Sequence, residues 1–344
     1  MLMSREVVTI AVFQEEAGWS LPSSHVERIR RAVGADDTVQ QVRSMGPLLS
    51  ALGETTVLIG FPLTGDQFST LAGGARMVQL TEAIAGNAET LLEATARGVR
   101  VATAIPFRAP QTAEHAVALT LAMLRNLDDA AHAQSEHRWA AAEIARSVRV
   151  LSGLTVGIVA LETIGREIAR RFGAFGVKVV RTSESPGSVS DGGEAGGVGE
   201  VVPLEDAGQV ASRADVLIVA APRTPRTTRL IDAAALKRMK DRAVLVDVSS
   251  GGVVEHEALL EALRKHRIGA AALDGFRTRP LPPSSPLWTM PHVLITPGIA
   301  AASDGYWRAA TETITENLGR YKRGEPLLEP LTRSWFQAPS PARA

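Results

Sequence analysis

The chain has 344 residues, enough for two domains that each bury a core without disulfide or metal staples. Its 45% apolar and 22% charged residues are ordinary globular values, and no apolar run reaches the length of a membrane span, which argues against a disordered or membrane-spanning protein. Its 37 basic and 37 acidic side chains cancel without a long basic run, so nucleic acid is not an expected partner, and the lack of cysteine excludes disulfides, a thiolate nucleophile and zinc–cysteine clusters. The opening segment MLMSREVVTIAVFQEE lacks the basic flank and long apolar core of an export signal, so cytoplasm is the default compartment.

Residues 7–13, VVTIAVF, read as a strand, and 56–60 and 77–80 as two more. Helical spacing occupies 25–33 and 90–97, with Gly98 placed for a left-handed helix cap. From 111 to 139 the pattern predicts one long helix, too apolar for a single solvent-facing stripe, which suits a position between domains or subunits.

Strand and helix then alternate: TVGIVA (155–160), a helix over 164–175, VKVV (177–180), VLIVAA (216–221), a helix after Asp232, AVLVDV (243–248), a helix from Glu255, a strand ending at Asp274, and VLITP (293–297). Continuous apolar strands separated by helices argue a parallel sheet covered on both faces, doubly wound by right-handed crossovers. Residues 183–200 carry five glycines in their second half and read as a surface loop; the tail from Trp335 is expected to fray.

The stretch SGLTVGIVALETIGREIARRFGAFGVKVV places a strand, a tight turn, a helix and a second strand where a dinucleotide fingerprint belongs. The three glycine positions are Ala160, Glu162 and Gly165, with Thr163 and Ile164 between the last two. Only the glycine for helix packing remains, while the positions that let pyrophosphate approach are filled. Glu162 at a helix start could take the anion site with its own carboxylate, or turn outward and cap the helix. Against a pyrophosphate its charge costs about 1 kcal/mol in water and about 4 at an effective dielectric of 20. At the end of the second strand, where an acid holds the ribose of NAD, stands Ser183, with Glu184 after it; Arg181 suggests a 2′-phosphate that Glu184 would oppose.

Residues 213–276 and 285–300, together with Ala113-Glu114-His115 and Gly324-Glu325-Pro326, resemble the D-isomer-specific 2-hydroxyacid dehydrogenases over about 77–326. The resemblance implies an α/β fold with a doubly wound parallel Rossmann-like sheet (105–296) inserted into a smaller flavodoxin-like α/β domain (1–104 and 297–330), a flexible tail (331–344), ligand bound between the domains, and a homodimer. Nicotinamide is the cofactor it implies; the residues themselves assign none with certainty, and Ala160 and Glu162 weaken a site for NAD(H) or NADP(H).

That family's reaction uses an arginine on the substrate carboxylate, a histidine that exchanges the proton and a glutamate that orients it. The matching positions here hold Ser250 in VDVSSGGVV, Gly298 in ITPGIA and Arg279 in ALDGFRTRP. The family's carboxylate-binding loop reads Ala83, Ile84, Ala85, Gly86, Asn87. Ordinary 2-hydroxyacid oxidation is therefore not expected.

The polar groups left are Ser249, Ser250, Asp247, Asp274, Arg277 and Arg279. Asp274 matches a family residue near the nicotinamide, but an acid closing a strand is as readily a structural acceptor. Arg279 and Arg277 can grip a carboxylate or phosphate, or can be a solvated loop pair; Arg277 is expected to point away from Arg279. His115 reads as helix packing, His292 as lying outside the site, and Glu255-His256-Glu257 as an exposed first helical turn. The expected partner is a small anionic ligand, bound or converted without hydride transfer. The other readings are a non-catalytic partner subunit and an oxidoreductase with an altered site.

Overall fold

The computed structural model describes residues 5–15, 18–60, 63–71, 73–84, 88–184 and 199–336. It divides into two compact units, Met1–Arg108 with Ser303–Ala344, and Ala109–Ala302. Among the described residues no helix is long and apolar enough to cross a membrane.

The first unit holds strands β1 (Val7–Ala11), β2 (Phe13–Gln14), β3 (Trp19–Ser20), β4 (Thr38–Gln41), β5 (Val57–Gly60), β6 (Met77–Leu80) and β7 (Arg100–Ala102). Its early helices are α1 (Ser23–Ala32), α2 (Met45–Ala51), α3 (Gly65–Leu71) and α4 (Ala88–Ala96). Five strands pair in parallel in the order β4-β1-β5-β6-β7, the flavodoxin-like arrangement, while β2 and β3 form a small antiparallel hairpin. β5 and β6 are buried at every position; β5 is wholly apolar, and the one polar residue of β6, Gln79, is buried with its amide hydrogen-bonded. Gly98 takes the left-handed conformation (φ +87°) expected after α4.

Helix α5 (Ile105–Leu124) begins earlier than its sequence pattern suggested and runs through Pro110. The single helix expected over 111–139 is two: α6 (Leu127–Ser135) follows a break at Asn126, which adopts a left-handed backbone (φ 51°). Asn126 tolerates this conformation better than most residues, and its amide anchors the break by donating to Ile144 O (3.2 Å) and Ser147 Oγ (2.7 Å).

The second unit continues with α7 (Ala141–Ile144), β8 (Thr155–Val159), α8 (Glu162–Gly173), β9 (Lys178–Ser183), β10 (Glu200–Pro203), α9 (Ala207–Arg213), β11 (Val216–Val219), α10 (Ala233–Arg238), β12 (Val244–Asp247), α11 (His256–Arg264), β13 (Ala270–Leu273) and β14 (Val293–Ile295). Seven parallel strands run β10-β9-β8-β11-β12-β13-β14, a Rossmann order whose direction of winding reverses between β8 and β11. Val159, Leu217 and Leu245 of this sheet pack with Val210 of α9, Leu236 of α10 and Leu263 of α11 in one core. Asp232 caps α10, its Oδ1 accepting from Ala235 N at 2.8 Å.

The chain returns to the first unit as α12 (Tyr306–Lys322), which packs Ile314 and Leu318 into the core formed by Ile10, Ile59 and Ile29. Trp335 and Phe336, expected to fray, are buried. Ala85, Gly86 and Asn87 of the carboxylate-loop match, residues 185–198 of the Gly-rich stretch and the tail 337–344 lie outside the described residues.

Candidate functional site

In open α/β sheets, ligands meet the carboxyl ends of the strands, near the point where the winding reverses. In the second unit that edge carries two groups of polar side chains.

The first group surrounds the turn from β8 into α8. Thr182 of β9 clamps the turn: its hydroxyl accepts from Ala160 N (3.1 Å) and donates to Ala160 O (3.0 Å). Glu162 is the first helical residue and does not cap its own helix. It reaches across to β9, where its Oε1 accepts from the Ser183 hydroxyl and its Oε2 lies 3.5 Å from Arg181 Nη1. The carboxylate therefore neither fills the helix start nor turns out to solvent, the two placements its sequence position suggested. A fully buried arginine draws it to the strand end. Arg181 is thus enclosed beside Glu162 instead of presenting to a 2′-phosphate. Ile164 and Gly165 are buried, with Thr163 between Glu162 and Ile164 at the helix start. A Cβ on Gly165 would meet Ala160 at an ordinary 3.5 Å, so the close packing expected of that glycine is not demanded here.

Glu184, next along β9, pairs with Arg226 (3.4 Å), which also pairs with Glu205. Burial raises the Glu184 carboxyl above its usual range; Arg226 opposes this, and Glu162 and Glu205 add to it.

The second group lies at the ends of β11, β12 and β13. The Ser250 hydroxyl accepts from Arg223 N at 3.0 Å, joining the loop after β12 to the loop after β11. Gly251 (φ +83°) lets the loop after β13 pass: a Cβ there would lie 2.2 Å from Phe276 C. A Cβ on Gly252 would lie 3.0 Å from Arg223 Cδ and 3.9 Å from Arg277 Cδ, so both arginine stems cover this glycine. Arg279 donates from Nε to Phe276 O (3.2 Å).

Arg223 is held below the ordinary arginine range, first by burial, then by the charges of Arg277 and Arg279. Arg277 lies by Gly252 beside Arg223, whereas the Arg279 guanidinium lies against Gly298; both Arg277 and Arg279 are exposed, as a solvated loop pair would be. None of the three guanidinium groups pairs with a carboxylate among the described residues. Arg223 carries no motif and was not among the sequence candidates; its place just after an apolar parallel strand, in AAPRTP, was the available signal.

Asp274 sits on the same loop but is turned elsewhere. Its Oδ1 accepts from the Thr296 hydroxyl (2.6 Å) and Ile299 N (2.8 Å), and its Oδ2 from Ala300 N (3.0 Å). His115 Nε2 lies 3.6 Å from Oδ1 and 3.1 Å from Thr296 Oγ1. Burial works to raise this carboxyl, yet the bonds from His115, Thr296, Ala300 and Ile299 prevail and hold it below the usual range. Asp274 and His115 thus brace the loop 296–300. Asp247, at the end of β12, is buried and accepts from Ser249 N (2.9 Å). Burial pushes its carboxyl up to about 6, helped by Asp274 and opposed by Ser249 and Arg279. His256 opens α11 and His292 is exposed before β14.

Residues 117–300 match the family model described as D-isomer specific 2-hydroxyacid dehydrogenase, NAD binding domain. The chain belongs to the D-isomer-specific 2-hydroxyacid dehydrogenase family.

A D-3-phosphoglycerate dehydrogenase of Mycobacterium tuberculosis (strain ATCC 25618 / H37Rv) is 34% identical over 77% of this chain, though that match spans only 49% of the relative's length. A glyoxylate reductase of Korarchaeum cryptofilum is 34% identical over 68% of this chain and 69% of its own. In fold alone, the chain is similar to an NADPH-dependent glyoxylate/hydroxypyruvate reductase from Sinorhizobium meliloti solved with NADP and malonate, with a TM-score of 0.74 at 23% identity, covering 98% of this chain and 100% of that one. This dehydrogenase-like chain has a Rossmann-type second unit.

Proposed function

We propose that this family member no longer transfers hydride and instead binds or converts a small anionic molecule at the carboxyl edge of the second unit. The observation that carries the reading is the pair of Arg223 and Arg277 stems over Gly252, with Arg279 against Gly298, none of the three with a carboxylate partner among the described residues. Arg277 and Arg279 are exposed, so solvent screens their mutual repulsion, but guanidinium groups bind carboxylate and phosphate in a bidentate fork and an anion at this edge would meet more than one of them. Ser250 accepts from Arg223 N with its oxygen and keeps its proton for a ligand. The positions that resemble the family's proton-transfer pair hold Gly298 and Arg279, neither of which exchanges a proton near neutral pH.

The residues around β8 and β9 do not fit a nicotinamide dinucleotide well. The strand end that would receive the ribose already holds the Glu162 carboxylate, bonded to Ser183 and Arg181, and its charge stands beside the turn that would receive pyrophosphate. Binding of NAD(H) or NADP(H) is therefore weak on this reading.

One observation favours a second reading, an NAD(P)-dependent oxidoreductase with an altered site. Glu162 delivers an acid to the end of β9 from α8, where Ser183 supplies none, and this acid could accept from a ribose hydroxyl. The two readings separate in one assay. D-Lactate, D-glycerate and the matching 2-oxo acids, offered with each nicotinamide cofactor, give no change in nicotinamide absorbance on the first reading. Sustained turnover would support the second.

A further inference from the structure

We propose that the first unit carries its own binding site for an organic cation, a primary ammonium or guanidinium group, in a cavity walled by Trp19 and Trp307. The proposal shares no residue with the anion site and does not rest on it. The cavity holds about 220 Å3 and is lined by Val12, Gln14, Trp19, Thr81, Glu82 and Trp307, among others.

Its walls are fixed by the fold. In the hairpin of β2 and β3, Gln14 pairs opposite Trp19, which sets the indole beside the carboxyl end of β1. Trp307 lies in the first turn of α12, its ring 5.4 Å from that of Trp19 and inclined by 32°. Tyr306 supports it edge-on at 5.0 Å and anchors to the end of β6 by donating to Thr81 O at 2.5 Å. Glu82 follows Thr81 and adds a carboxylate to the lining.

The chemistry of the lining selects the ligand. Two indole faces attract a cation through their negative π surface, and tryptophan is the strongest aromatic partner for this. Among the described residues, neither the Glu82 carboxylate nor the indole N–H of Trp19 or Trp307 has a partner. Arg108 also reaches Tyr306, its Nη1 being 3.5 Å from the phenol, but it makes no ion pair with Glu82 and does not line the cavity. No lysine or arginine lines the cavity, so an anion would meet Glu82 uncompensated. A ligand that places an ammonium group against an open indole face of the Trp19–Trp307 pair and beside Glu82 satisfies the carboxylate and that π face together.

The test uses the full chain with n-butylammonium, n-butanol and butyrate as probes of similar size and different charge, followed by the indole N–H signals in two-dimensional NMR. Leu variants of Trp19 and Trp307 assign the signals, and thermal melting confirms that each variant folds. The expected result is saturable binding of n-butylammonium that shifts both indole signals, with affinity falling about tenfold in Glu82→Gln, while n-butanol binds more weakly and is insensitive to that change. Equal binding of alcohol and ammonium, preference for butyrate, unchanged affinity in Glu82→Gln, or no saturable shift would each overturn the proposal.

Discussion

The guanidinium of Arg279 lies against Gly298: a Cβ built on that glycine would stand 3.1 Å from Arg279 Nη1 and 3.4 Å from Cζ. On the sequence resemblance these are the positions expected to correspond to the family's glutamate and histidine; here the second has no side chain and the first has a long cation. Gly298 also holds a positive φ of 76°. Gly298→Ala is expected to destabilise the fold by about 1 kcal/mol through its backbone and to weaken anion binding by displacing Arg279. Chemical denaturation of Gly298→Ala, Arg279→Ala and the double variant checks this: coupling of about 0.5 kcal/mol or more is expected for groups in contact. Strict additivity would separate the two residues.

Glu162 gives a second prediction. Glu162→Gln removes the charge beside the phosphate turn and keeps an acceptor for Ser183, so affinity for NADH should rise about tenfold, roughly 1.4 kcal/mol. Calorimetric titration of both proteins measures it. Tight binding by the wild-type chain, or no gain in the variant, would remove the charge as the cause of weak binding.

Asp247 gives the pH dependence. Its native carboxyl titrates at about 6, whereas in an unfolded chain it titrates near pH 4. Between these values the folded state keeps a proton that the unfolded state has lost, so this residue makes stability fall as pH rises through the window and then level off. The full effect above pH 6 is on the order of 3 kcal/mol. Asp247→Asn, which retains the acceptor for Ser249 N, should be more stable than wild type at pH 7 and no different at pH 3.5. Denaturant midpoints across this range test the sign; a wild-type curve that rises through the window would contradict it.

In the first unit, Asn317 Nδ2 donates to Gln79 Oε1 (2.8 Å) and its Oδ1 accepts from Leu328 N (2.7 Å), while Gln79 Nε2 donates to Thr103 O (3.1 Å). Both side chains are fully buried. Asn317→Ala leaves the buried Gln79 Oε1 without this partner, at a cost of about 1–3 kcal/mol, and also frees the part-buried Leu328 N, so it should lower the thermal midpoint markedly. A surface-like change of a few tenths of a kcal/mol would mean that water reaches the gap.

The fold was legible because its strands are continuous apolar runs punctuated by helices, a pattern that only a two-sided parallel sheet buries. The break at Asn126 was hidden because the apolar spacing carries on past it; it depends on an asparagine amide reaching residues 144 and 147. At the site, residue types were readable but partners were not. That Glu162 would turn to Arg181 and Ser183 depends on the packing of α8 against β9, and that Asp274 would be bonded by residues 296–300 depends on a loop distant in sequence. Arg223 was missed because a single arginine in a Pro-rich loop has no spacing to mark it.

The most direct test of the account is calorimetric titration of inorganic phosphate and succinate into the wild-type chain and its Arg279→Ala and Arg223→Ala variants, with melting curves to confirm folding. The account predicts saturable binding of at least one anion and a loss of about ten- to a hundredfold in each variant, the effect of removing a charge-assisted hydrogen bond of roughly 1.5–3 kcal/mol. Absence of binding by either anion, or affinities that the arginine substitutions leave unchanged, would contradict it.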